Sequence, residues 1–240
     1  MHVPNGFLDA PTSVATGVVA AVAVGVALRG ARRELDDRTA PMAGLVAAFV
    51  FAVQMLNFPV GAGTSGHLMG GAVAAVLVGP WTGLLCVSVV IAVQALLFAD
   101  GGITALGTNV VLMAVVTALV GWAVFRLAQA VLPKRIGSVP IAAGLGAFVS
   151  VPVGALVFVG LYAVGGTADL DLATLTTAML GVHVLIGIGE GVITFLAVGS
   201  IVAVRPDLVL GARRVLDERE LEIRTGSSTG SSTDSSEVTA

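Results

Sequence analysis

The sequence predicts an all-α integral membrane protein of about seven transmembrane helices, with a structured extracellular amino-terminal arm and a central loop. Three observations predict it. First, 56% of the 240 residues are hydrophobic, only 11% are charged and the mean hydropathy is +1.00, values outside the range of soluble domains. Second, the apolar residues gather into runs near the roughly 20 that a helix needs to cross the hydrocarbon core, with Gly, Pro and charge clusters between them. Third, with seven spans all 12 Lys and Arg fall on one side or at a helix end facing it, while Asp9, Asp100, Asp169 and Asp171 fall on the other. Six spans would scatter the basic residues over both sides. The basic side is cytoplasmic, which places the amino terminus outside and the carboxyl terminus inside.

Residues 1–9 form a polar arm containing Pro4, Asn5 and Gly6, and it enters a first span at about 10–28 that ends in Arg29, Arg32, Arg33 and Arg38. A second span at about 41–57 leads outward to the glycine-rich stretch 57–71, read as NFPVGAGTSGHLMGG. No charge occurs from His67 to Ala99, but Gly79-Pro80 should break any helix there. The piece at 67–79 is too short to cross comfortably, so it reads as a short or tilted helix packed against protein, followed by a normal span at 81–99. Asp100-Gly101-Gly102 forms an outer turn. The remaining spans fall at about 103–127, 139–164 and 174–203, the last stopping at Arg205-Pro206. The membrane domain is therefore 10–205, with a cytoplasmic segment at 206–224 that contains an amphipathic helix at about 207–223. The low-complexity tail 225–240 is small, polar and expected to be disordered.

Several chemistries are excluded. No GxxxxGK[ST] phosphate loop is present, so the chain cannot couple ATP by itself, and no HExxH occurs. Cys86 stands alone, which rules out a cysteine zinc site. Nucleic acid is not an expected partner of so apolar a chain, and Ser65-Gly66-His67 does not place a nucleophile beside its base.

The residues that carry chemistry are few. A free amino terminus followed by His2 offers one ion three nitrogens: the Met1 amine, the Met1-His2 amide once deprotonated, and the imidazole. Consecutive chelate rings pull these donors toward a plane, which suits Ni(II) or Cu(II) and, less strongly, Co(II). His67, in its glycine-rich setting, is the candidate fourth donor. The competing reading makes His2 a frayed terminal residue and His67 a hydrogen-bonded core histidine. Asn5, Asn57, Ser65 and Asn109 are candidates for outer contacts around the two histidines. His183 and Glu190 are ionisable residues inside an apolar run, seven apart and on one helix face. They read either as a structural polar pair within the bundle or as part of an ion path.

MHVPNGF, QMLNFPV leading to GTSGHLMGG, ALLFADGGITALGTN and HVLIGIGEGVIT together resemble the substrate-binding membrane component of energy-coupling-factor transporters for cobalt or nickel, the CbiM/NikM family. The likeness runs to about residue 205. It implies a seven-helix component of the plasma membrane, with no catalytic residues and no cofactor of its own. Its transported substrate is Co(II) or Ni(II), held by the Met1 amine, the His2 amide and side chain, and His67. It also implies a transmembrane coupling protein and two ATPases as partners, and often a small accessory membrane protein. One position departs from the family, which usually has Asp where this chain has Asn5. The alternative function is a self-contained secondary transporter or channel for a divalent cation, which would need a line of acidic residues that the bundle lacks.

Overall fold

The computed structural model describes residues 2–36, 39–56, 58–61 and 64–218. Helix α1 spans Ala10–Ala31. The Asp9 side chain caps it by accepting from the Thr12 backbone N–H at 2.9 Å, and Pro11 lies in the first turn, where a missing N–H costs nothing. One face carries the exposed residues Val14, Val18 and Val22, as a lipid-facing helix should, and the other buries Thr12, Thr16 and Ala20. α2 (Thr39–Gln54) is introduced by a reciprocal cap: Thr39 N–H donates to Asp36 Oδ1 at 2.8 Å, and Asp36 N–H donates to Thr39 Oγ1 at 2.7 Å.

The stretch expected as loop after α2 contains a small antiparallel hairpin, β1 (Phe58–Gly61) with β2 (Thr64–Gly66), in which Phe58 pairs with Gly66 and Pro59 with Ser65. Strands of four and three residues are too short to leave a readable alternation. α3 (Gly71–Val78) follows; it has only eight residues, and every one is buried. It stops at Gly79, whose φ of +101° favours glycine, and Pro80 opens α4 (Pro80–Leu97). The free N–H groups at the start of α4 go to Glu34, whose carboxylate accepts from Thr82 at 2.7 Å and from Trp81 at 3.3 Å.

α5 (Leu106–Val131) contains a π-helical stretch over Val111–Val116. α6 (Ser138–Gly165) and α7 (Leu172–Val204) make the most extensive helix pair, and glycines let their backbones meet: a Cβ on Gly187 would lie 2.8 Å from the Phe148 carbonyl. α1, α4, α5, α6 and α7 are the five helices long and apolar enough to cross a membrane. α2 is apolar but has 16 residues, and α3 is a buried fragment, so two of the seven expected spans are short elements of the bundle.

The 206–218 segment differs from the expected surface helix. It begins with two 3-10 turns, Pro206–Leu208 and Leu210–Ala212, and becomes helical only at 213–218. Val209 and Ala212 are fully buried, and Gln129 Nε2 donates to the Gly211 carbonyl at 3.0 Å, so the segment closes over the far end of α3 and α5. Lys134 pairs with Glu218 at 3.2 Å, and Arg213 reaches Asp36 at 3.5 Å. The expected disordered tail at 225–240 lies outside the described residues.

Candidate metal centre

The arm before α1 is threaded into the bundle by its backbone. Val3 is 2% exposed; its N–H donates to Asn109 Oδ1 at 2.7 Å, and its carbonyl accepts from Asn109 Nδ2 at 3.2 Å and from the Gly102 N–H at 2.9 Å. Further along, Leu8 forms an antiparallel bridge with Gly166, Asp9 N–H donates to the Gly165 carbonyl at 2.7 Å, and Thr167 N–H donates to the Phe7 carbonyl at 3.1 Å. Phe7 lies between Phe158 and Tyr162, with ring centroids 5.8 and 5.5 Å away. Asn5 Oδ1 accepts from the N–H and hydroxyl of Thr104 at 3.0 and 2.9 Å, which fixes the arm to the turn before α5. That turn has no room for a side chain: a Cβ on Gly102 would lie 2.6 Å from Asn5 Oδ1 and 2.7 Å from the Pro4 carbonyl carbon.

This threading brings His2 against His67, with the two rings stacked at 4.6 Å and 30°. His2 Nε2 lies 3.1 Å from Gln94 Oε1, and His2 Nδ1 lies 3.2 Å from Asp100 Oδ1. His67 is 2% exposed, and its Nδ1 is 2.8 Å from the Leu68 carbonyl. A carbonyl only accepts, so that nitrogen carries the hydrogen, and Nε2 holds the lone pair of the neutral ring. Burial lowers the pKa of His2 to about 4. It also drives that of His67 well down. Both rings are therefore neutral donors at ordinary pH, the form in which imidazole binds a metal.

The segment carrying His67 is clamped from two sides. Glu190 of α7 accepts from the Met69 and Gly70 N–H groups at 2.7 and 2.9 Å, which also satisfies donors at the start of α3, and Gln54 Nε2 donates to the Met69 carbonyl at 2.6 Å. Gly70 has φ +77°, the conformation that lets the chain turn into α3.

Among the described residues no group of three or more His, Cys, Asp or Glu side chains gathers as a metal-binding cluster. Met1 and Asn57 lie outside the described residues, and Ser65 is in β2. His183 and Glu190 share a face of α7 but form no pair: Glu190 holds the 69–70 backbone, while His183 Nδ1 lies 2.7 Å from the Met179 carbonyl. The reason is distance, since seven residues along a helix separate the two side chains by about 10 Å. Gln94 and Asp100 were not expected beside His2. The available signal was a buried amide, and an acid at the mouth of an apolar run, both within 15 residues of Asn109.

The family model for the CbiM cobalt-uptake substrate-specific transmembrane region matches residues 2–208. The chain belongs to the CbiM family. A cobalt transport protein CbiM of Sorangium cellulosum is 34% identical over 217 residues, covering 87% of this chain and 94% of that protein. A fused nickel transport protein NikMN of Rhodobacter capsulatus is 42% identical over 127 residues, 53% of this chain and 37% of that longer protein. Among solved structures, a truncated transition metal transporter superposes on this CbiM-family chain with a TM-score of 0.77 at 29% identity, covering 85% of this chain and 99% of the other. Family and helices together make the chain a multi-pass membrane transport protein.

Proposed function

We propose that this chain is the substrate-capture component of an energy-coupling-factor transporter, taking Co(II) or Ni(II) from the outer face. The ion is bound by the Met1 amine, the amide nitrogen and imidazole of His2, and the imidazole of His67. The observation that carries the reading is the pinning of Val3 by Asn109 and Gly102, which lays His2 on His67 inside the bundle. A chelate through the His2 amide closes a six-membered ring only with Nδ1, which leaves Nε2–H to donate to Gln94 Oε1. An M(II) ion with one amidate keeps a net positive charge, and the Asp100 carboxylate beside Nδ1 offsets it. Asn5 acts here through an acceptor oxygen, which Asp would also supply.

Energy comes from partners: a transmembrane coupling component and two ATPase subunits, with a small accessory membrane protein in some systems. The relatives named as fused nickel transport proteins, NikMN and LarMN, support such an association, because their chains are longer than this one and carry a further part. The amino terminus and the 58–66 hairpin lie outside, and the carboxyl terminus is cytoplasmic.

The test is a chain with one residue added before Met1, titrated calorimetrically with Ni(II) and Co(II) beside the native-start chain. High-affinity binding should disappear. Unchanged affinity defeats the reading. Ion uptake by vesicles containing this chain alone would favour a self-contained carrier.

A further inference from the structure

The chain from Arg29 to Asp36 sorts its charges by direction. Glu34 turns inward and accepts from the Trp81 and Thr82 N–H groups, while Asp36 accepts from the N–H and hydroxyl of Thr39 and meets Arg213. Arg29, Arg32 and Arg33 are exposed, and among the described residues none of the three meets an acid. The helical turn continues past the end of α1, with Arg33 N–H donating to the Gly30 carbonyl at 3.0 Å and Leu35 N–H to the Ala31 carbonyl at 2.9 Å. Residues three and four apart on such a turn are neighbours, so the three arginines share one side of it.

That side is the one α1 turns to lipid. At about 100° per residue, Arg29, Arg32 and Arg33 fall within about 60° of Val18, in the exposed stripe with Val14 and Val22, and Ala20, Ala27 and Ala31 line the buried face opposite. α1 is the least covered of the five long helices. Its uncharged run from Ala10 to Leu28 is about 28 Å long, close to the ~30 Å of the hydrocarbon core, so the arginines begin at the depth of the lipid phosphates. The ring of Trp81 rests on the same turn, since a Cβ on Gly30 would lie 2.4 Å from it, and indoles gather at that edge of a membrane.

We propose that Arg29, Arg32 and Arg33 hold the headgroup of an anionic phospholipid at the basic end of α1. Guanidinium groups meet a phosphate with paired N–H donors. Three cations with no acid among them select a headgroup that is negative overall, because the choline of a zwitterionic lipid would meet positive charge. A phospholipid answers the whole feature, with its chains against the valines and its phosphate at the arginines, whereas an acidic segment of a partner protein would answer only the charge. The bound lipid braces one end of the helix whose other end carries the amino-terminal arm.

The experiment uses the full chain with Trp122→Phe, which leaves Trp81 as the reporter of the two indoles in the sequence. It is placed in phosphatidylcholine vesicles with rising fractions of phosphatidylglycerol brominated high on its acyl chains, or of phosphatidylcholine brominated in the same way. Half-maximal quenching of Trp81 should need at least fivefold less brominated phosphatidylglycerol than brominated phosphatidylcholine, and 0.5 M NaCl should shrink that preference. Arg29→Gln, Arg32→Gln and Arg33→Gln together should bring the two lipids within twofold, and the same three positions changed to Lys should keep at least a threefold preference. Arg205→Gln with Arg214→Gln, whose cations pair with Asp207 and Glu218, should leave the preference unchanged. Equal quenching by the two lipids with all three arginines present overturns the proposal whether or not the variants fold, and hands the arginines to an acidic protein segment. A preference that survives the triple Gln change, or that the Arg205 and Arg214 changes abolish, overturns it as well, because the attraction then belongs to the chain's overall charge.

Discussion

Asn109→Leu isolates the contact that seats the amino-terminal arm. Leu approximates the shape of Asn, so the packing around this fully buried side chain is kept while its polar atoms are lost. The Val3 N–H then has no acceptor in a place that is 2% exposed, a loss of about 1–3 kcal/mol. The Val3 carbonyl keeps the Gly102 N–H and loses only the longer bond from Asn109 Nδ2, about 0.5–1.5 kcal/mol. Together the arm is held less firmly by about 1.5–4.5 kcal/mol, and since the ion is bound only with the arm in place, Ni(II) affinity should fall by about tenfold to about two-thousand-fold. Calorimetric titration of the purified chain measures the fall. Amide exchange at Val3 in the ion-free protein measures the loosening directly. Asn109→Asp is the internal control: its carboxylate still accepts from Val3 N–H, so it should stay within about tenfold of wild type. An Asn109→Leu chain that binds Ni(II) within threefold of wild type, with Val3 exchange unchanged, would refute the argument that Asn109 seats the arm.

Gly102→Ala should act at the same point from the other side, because its Cβ would collide with Asn5 and the Pro4 carbonyl carbon; loss of ion binding with the melting temperature of the bundle nearly unchanged is the expected pair of results. Glu190→Gln leaves one of the Met69 and Gly70 N–H groups without an acceptor, costing about 1–3 kcal/mol, which a thermal melt should register as a drop of several degrees together with weaker ion binding. Docking of the arm should depend on acid. Undocked, His2 titrates near 6.5, and docked near 4, so between those values the undocked arm binds a proton that the docked one does not. The docked form is therefore fully favoured above pH 6.5 and loses up to about tenfold per unit as the pH falls toward 4, which amide exchange at Val3 across that range would reveal as faster opening. Asn5→Asp should shift ion affinity by less than about threefold, since Thr104 needs only an acceptor oxygen, and a large gain on titration would mean that the carboxylate charge matters.

The helices were legible because lipid imposes a pattern that composition alone reports. Gly79-Pro80 also reads directly: its φ and its missing N–H break the helix where α3 gives way to α4. Much of the candidate site was not legible, for a physical reason. His2, His67, Asn109 and Glu190 stand out as polar residues in an apolar chain, but hydropathy says nothing of which loop meets which. The grip of Glu190 on Met69 and Gly70 joins positions 121 and 120 residues apart, and that of Asn109 on Val3 positions 106 apart. Gln94 and Asp100 become neighbours of His2 only once the arm is threaded. The 58–66 hairpin and the burial of 209–212 escaped notice because short pieces without regular alternation carry no periodic signal.

The bridge between Leu8 and Gly166 sets an order of assembly. Residues 2–9 are made well before the groups that receive them, which are the backbone at 102 and 165–167 and the side chain of Asn109. Through most of synthesis the start of the chain therefore has nowhere to settle. It takes its full place only after α6, the fourth of the five long helices, has formed. A nascent chain stalled before Gly165 would carry His2, His67 and the partners of Val3 and still lack the backbone that holds Phe7, Leu8 and Asp9.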